Sequence, residues 1–114
     1  MDTEYILQIE NGILTIPEDA VTLLGKEPVI TRTPDNGCIL YSINDFEALS
    51  DAMNTFERLI SWKTRELARL ILGNAVRLNI EPGNRIKLPV SYEHLYGSQV
   101  MLKRTERGIL LIPE

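Results

Sequence analysis

The side chains best suited to chemistry lie in a short run near the middle of the second half. In "IEPGNRIKLP" (80–89) a carboxylate, Glu81, stands four residues before an arginine, Arg85, and a lysine, Lys87, follows two residues later. A carboxylate at that distance can hold a guanidinium in a bidentate pair and fix its direction. A directed guanidinium fork fits guanine O6/N7 in a major groove, or a phosphate. Lys87 shares a strand face with Arg85, because alternate residues of a strand point the same way. Arg77, just before this run, can add a phosphate contact. Lys103 and Arg104 are adjacent, so they face opposite sides of a strand and at most one joins such a patch. The plainer alternative for Glu81 and Arg85 is a surface ion pair across a tight turn, worth about 0–1 kcal/mol.

Other reactive residue types find no partners in the sequence. His94 is the only histidine and Cys38 the only cysteine. His94 lies in the short helical segment "VSYEHLY", where a partly buried, hydrogen-bonded imidazole is expected. Cys38 opens an apolar strand and reads as a small core residue. No nucleophile stands at a recognisable spacing from a base, no glycine loop cradles phosphate, and no set of ligands suits a metal. The expectation is a non-enzymatic protein with no cofactor, no metal and no small-molecule ligand.

The elements that must position Arg85 come from a repeat. Shifting the 114-residue sequence by 72 places Pro17 on Pro89, Leu23 on Leu95, Gly25 on Gly97, Arg32 on Arg104 and Thr33 on Thr105. Deleting one residue in the following turn places Gly37 on Gly108 and Leu40 on Leu111. The matches fall on proline and glycine, the residues that punctuate structure. Each copy reads as a strand (13–16; 85–88), a proline-opened helix (18–24; 90–96), a glycine (25; 97), a strand (28–33; 100–105), a glycine turn (34–37; 106–108) and a closing strand (38–42; 109–113). In both turns the glycine is expected to supply positive φ. The predicted units are β-α-β-β, over 5–42 and 78–114. Neither holds enough apolar residues to cover its own sheet, whereas two packed together can.

A helical segment, 44–76, joins the units. Phe46, Leu49, Met53 and Phe56 recur at helical spacing, with Asn44 or Asp45 as cap. A second helix, capped by Ser61, places Leu67, Leu70, Ile71 and Ala75 on one side and Lys63, Arg65 and Arg69 on another. Arg58, Trp62, Arg65 and Arg69 form a stripe that reads either as an anionic-ligand surface or as a solvated face with Trp62 anchored on the core.

The strand–Pro–helix–Gly–hairpin unit resembles the swapped-hairpin barrel of the AbrB/SpoVT transcription regulators. Its doubling around two helices resembles the MraZ family, over nearly the whole chain. "RLILGNA" (69–75) and "PVITRTPDNGCILYS" (28–42) are also similar to that family. In MraZ each copy carries Asp-x-x-x-Arg followed by apolar, any, apolar, Pro. Here the second copy reads Glu81, Arg85, Ile86, Leu88, Pro89, with the glycine moved to Gly83; the first has Ile9 and Ile13 at the acid and arginine positions. The sequence ends at Glu114, where a typical member continues into a helix, so the resemblance is to a shortened, diverged member. The resemblance implies an α+β fold: duplicated β-α-β-β units in one AbrB-like barrel over 1–114, with two intervening helices. It also implies a DNA-binding transcriptional regulator that acts on short direct repeats as an oligomer able to close into a ring. Arg85, Lys87, Glu81 and Arg77 would then be its contacts to double-stranded DNA. A protein-interaction or ring-assembly module on the same scaffold is the alternative.

Composition bounds the setting. Hydrophobic residues make up 44% and charged residues 25%, ordinary for a globular protein. The sequence has no apolar run long enough to span a membrane. The acidic "MDTEYILQIE" does not read as a signal peptide, and a single cysteine suits a reducing cytoplasm, with nucleoid association if DNA is bound. The net charge of −4 hides an asymmetry: residues 1–57 carry two basic against eleven acidic side chains, and residues 58–114 ten against five. Such contrast points to an anionic partner or to copies meeting head to tail.

Overall fold

A computed structural model describes residues 4–34, 37–56, 62–97, 99–105 and 108–113. Among the described residues, helix and strand mix around one curled antiparallel sheet of nine strands. In chain order the elements are β1 (Glu4–Glu10), β2 (Ile13–Thr15), α1 (Glu18–Leu24), β3 (Val29–Arg32), β4 (Cys38–Tyr41), α2 (Ile43–Phe56), α3 (Trp62–Gly73), β5 (Val76–Arg77), β6 (Ile80–Glu81), β7 (Arg85–Lys87), a 3₁₀ segment (Val90–Leu95), β8 (Gln99–Arg104) and β9 (Ile109–Pro113).

The sheet order is β5-β3-β4-β9-β8-β1-β2-β7-β6. Its two ends, β5 and β6, are separated by two residues of chain, so the sheet curls back on itself. The Leu78 amide donates to the Pro28 carbonyl (2.8 Å) and the Ile80 amide to the Lys26 carbonyl (3.0 Å), carrying the ladder through the gap. Inward residues fill the interior: Ile9, Leu14, Ile30, Leu40, Ile86 and Leu102 are all fully buried.

β1 and the β5–β6 segment are strands that the sequence reading omitted. In β1 the alternation is broken by Ile6, an apolar residue on the outward face that stays 64% exposed. Of the β5–β6 segment, "VRLNIE" (76–81), Val76 falls at the end of the predicted helical region 44–76, and residues 78–81 fall in the predicted second unit ahead of its first strand. The helix instead stops at Gly73, and from Val76 the chain alternates strictly, with Arg77, Asn79 and Glu81 exposed and Leu78 buried.

Proline and glycine set the predicted boundaries of α1, which follows Pro17 and ends at Gly25 with φ of 74°. In the second half Pro89 and Gly97 (φ 78°) frame a 3₁₀ segment rather than an α-helix. Tyr92 leaves helical geometry (φ −111°, ψ 19°). Where α1 buries the small Ala20, this segment must bury a whole tyrosine ring, and the tighter turn does so while the Tyr92 hydroxyl donates to the Asn74 carbonyl at 2.8 Å.

Backbone contacts recur at the 72-residue spacing. The Ile16 amide donates to the Asn84 carbonyl (2.9 Å), and the Leu88 amide to the Gly12 carbonyl (2.8 Å). Thr33 donates to Gly37 (3.1 Å), and Thr105 to Gly108 (2.8 Å). Gly37 and Gly108 are both buried. Their requirement is close approach: a Cβ on Gly37 would stand 3.0 Å from the Leu111 carbonyl oxygen, and one on Gly108 only 2.7 Å from the Leu40 carbonyl oxygen.

The helices lie against β3 and β4. Thr31, buried on β3, donates its hydroxyl to the Ile71 carbonyl of α3. Ser42, not Asn44 or Asp45, caps α2, its hydroxyl accepting the Asp45 amide at 3.1 Å. Phe46, Leu49 and Met53 are half-buried as their spacing predicts. Arg58 and Ser61 lie outside the described residues, as do the side chains of Phe56, Trp62, Lys63 and Leu67. No described helix is long and apolar enough to cross a membrane.

Candidate nucleic-acid interface

β7 is three residues long, with Ile86 fully buried between exposed Arg85 and Lys87. The hydrophobic demand of Ile86 therefore turns both cations outward on one face. β7 lies between β2 and β6. Thr15 and Glu81 stand opposite Arg85 on its two sides, and Ile13 stands opposite Lys87. One strand further on, Glu10 of β1 stands opposite Ile13, in the same row as Lys87.

The turn 82–84 aims Arg85. Asn84 takes a positive φ of 59°, and its carbonyl accepts the Ile16 amide, which ties the turn to the chain just after β2. The Arg85 Nε donates to the Pro82 carbonyl at 3.0 Å. This bond fixes the base of the guanidinium and leaves its Nη edge without a protein partner among the described residues. The expected ion pair with Glu81 does not form. A carboxylate four residues back is within reach along the sequence, but the turn brings the Pro82 carbonyl to the guanidinium instead.

Arg85, Lys87 and Glu81 share one surface; Arg77 stands apart. It extends from β5, about 13 Å along an extended chain from Glu81, and pairs with exposed Glu27 at 3.9 Å. Lys103 pairs with Glu4 across the β1–β8 ladder at 4.0 Å. Exposed Arg104 lines a cleft of about 70 Å³ with Leu23, Ser42 and Asp45, far below the roughly 300 Å³ at which small-molecule pockets begin. Ile9 and Ile13, at the motif positions of the first half, are buried and half-buried. Arg65 and Arg69 of α3 are exposed.

Arg32 has a role that the sequence reading passed over. Its Nη2 donates to the Ser91 carbonyl at 2.6 Å, and its guanidinium lies 5.3 Å from the centroid of the Tyr92 ring. Arg32 thus clamps the 3₁₀ segment to β3. The available signal was an arginine paired through a four-residue turn region with an apolar Cys38, which marks the inward face; the register Arg32↔Cys38 places both there. Burial pushes the Cys38 thiol up to about 11, against a smaller opposing effect of the Arg32 charge. Burial likewise pushes the Tyr92 phenol up to about 12. Both stay protonated at neutral pH, and a neutral buried thiol is a poor nucleophile. His94 is exposed rather than partly buried, its ring 6.3 Å from that of Tyr92. No group of three or more metal-binding side chains gathers among the described residues.

No family model and no curated protein matches this chain.

Proposed function

We propose that this chain is a MraZ-like, DNA-binding transcriptional regulator that reads DNA with Arg85. The observation that carries the reading is the guanidinium of Arg85, anchored through Nε to Pro82, open at its Nη edge, and flanked on the same face by Lys87. An anchored fork loses little freedom on meeting a base edge or phosphate. Lys87 supplies a point charge for the backbone. In this reading the two halves are an internal duplication. The amide bonds and close glycine approaches that recur at a spacing of 71–72 residues support it. The first half has lost its reader, since Ile13 occupies the position of Arg85.

A gel shift with the DNA upstream of the chain's own gene, run across a salt series, tests the proposal. Arg85→Ala abolishes the shift. Lys87→Ala weakens it uniformly over sequences and flattens the salt dependence by about one phosphate's worth. A wild-type protein that retards no duplex at low salt overturns the reading.

One reader per chain is weak, and several chains together raise avidity by about 10²–10⁴ without a new contact. The acidic first half of one copy would meet the basic second half of the next, a heterologous contact that closes into a ring. Such an assembly would sit in the cytoplasm, at the nucleoid when on DNA. Light scattering at low and high salt is expected to give an oligomer that loosens as salt rises; a monodisperse monomer in both dismisses it. A module that assembles without binding DNA is the second reading. It is favoured by the apolar row on the outer sheet face, where exposed Ile6 stands in register with half-buried Met101 and Ile112.

A further inference from the structure

The charges around Arg85 cancel. Glu81 is directly opposite it across β6–β7, and Glu10 lies in the row of Lys87 with Ile13 between them. All four charged side chains are exposed, and among the described residues no ion pair joins any two of them. The role of fixing the guanidinium falls to the Pro82 carbonyl, which leaves Glu81 without one.

We infer that Glu81, with Glu10 as a weaker second, is an electrostatic brake that holds duplex affinity down, and not the positioning residue for Arg85. The inference rests on the DNA-binding reading. Residues directly opposite in an antiparallel pair have Cβ atoms about 5 Å apart, inside the screening length of about 8–10 Å at physiological salt. Any phosphate that approaches the Arg85 fork therefore meets the full charge of Glu81. Glu10 is two strand spacings from Lys87, about 9.6 Å, at the limit of screening, so its effect is smaller. A surface of two cations and two anions releases few counterions on meeting DNA. A single reader then binds weakly, and only DNA that engages several readers together is held.

The two roles for Glu81 predict opposite signs. An orienting carboxylate, once neutralised, weakens binding; a brake, once neutralised, strengthens it. Fluorescence anisotropy of a labelled 40-base-pair duplex of random sequence, at about 50 and 200 mM KCl, reads the difference. Glu81→Gln is expected to tighten binding about threefold at the lower salt, by the Coulomb energy of one charge some 6 Å away in a mostly aqueous medium. Glu10→Gln gives about twofold. Both gains shrink at the higher salt, and Glu81→Asp, which keeps the charge, restores the wild-type affinity. Thermal melts show that each variant folds. Unchanged or weaker binding by Glu81→Gln overturns the inference while leaving the DNA-binding reading intact. Arg85→Ala separates the two: if it binds as tightly as its parent in both the wild-type and Glu81→Gln backgrounds, the DNA-binding reading falls. If the wild type binds no duplex at the lower salt, the DNA-binding reading falls and the brake with it.

Discussion

Tyr92→Ala is expected to lower the free energy of unfolding by about 3–5 kcal/mol, read as a shift in the urea midpoint. Among the described residues Tyr92 is the largest of the fully buried side chains. Its loss opens a cavity that rigid sheet walls cannot fill. It also removes the hydroxyl that donates to the Asn74 carbonyl at 2.8 Å, and the ring over which the Arg32 guanidinium lies. Two further variants apportion the effect. Tyr92→Phe keeps the ring and is expected to cost about 1–3 kcal/mol, for one part-buried carbonyl left unpaired. Arg32→Ala removes both the cation over the ring and the bond to the Ser91 carbonyl. Combined with Tyr92→Ala it should fall short of additivity, because the two side chains share one interaction. A loss below 1 kcal/mol for Tyr92→Ala would mean that the 3₁₀ segment is not held through this residue.

Gly108→Val is the second large effect. The added Cβ would stand 2.7 Å from the Leu40 carbonyl oxygen and 3.0 Å from Cδ1 of Tyr41. The oxygen belongs to the backbone of β4, which is held in register with β9 through Leu40↔Ile109 and Cys38↔Leu111. Relief requires the two hairpins to separate where they meet. Overpacking of this kind costs typically 1–3 kcal/mol, and a β-branched side chain at a backbone contact belongs at or above the upper end. Gly37→Ala, at the counterpart position, meets the Leu111 carbonyl oxygen at 3.0 Å and is expected to cost less. Gly97→Ala provides the contrast. Its Cβ meets nothing within 4 Å, and its φ of 78° is the only obstacle, worth about 1–2 kcal/mol. Thermal melts of the three variants should rank Gly108→Val as the most harmful. If Gly97→Ala is worse, backbone conformation and not hairpin crowding governs this part of the fold.

These glycines show how far sequence reading reached. Pro17, Gly25, Pro89 and Gly97 were legible as boundaries because their effect is local: a missing amide proton and a missing Cβ act within one turn. The strands β3, β4, β8 and β9 were legible through their apolar runs. Gly37 and Gly108 were legible as turn glycines, but their crowding was not, since the carbonyl oxygens they meet lie about 70 residues away. β1 was hidden by outward-facing Ile6, which disguises a two-residue period. The 3₁₀ geometry was hidden because it depends on a carbonyl at Asn74.

The candidate site divides in the same way. Arg85 and Lys87 were legible as a pair facing outward, because the alternation of a strand around Ile86 requires it. Glu81 was legible as near Arg85, yet its spacing suggested a partner where the structure has a cross-strand neighbour that makes no bond. Glu10 was not legible at all, since it reaches the surface of Lys87 only through two strand pairings.

The sequence by itself determined where the chain turns, which strand faces are apolar, and that one arginine and one lysine leave the same face. Those properties follow from steric limits and periodicities that act over a few residues. Only the tertiary structure decided what surrounds the two cations: the Pro82 carbonyl that anchors one, the two carboxylates that offset both, and the separation of Arg77 from them. Which side chains become neighbours in a curled sheet is set by register between distant strands, and that register comes from the packing of the whole core.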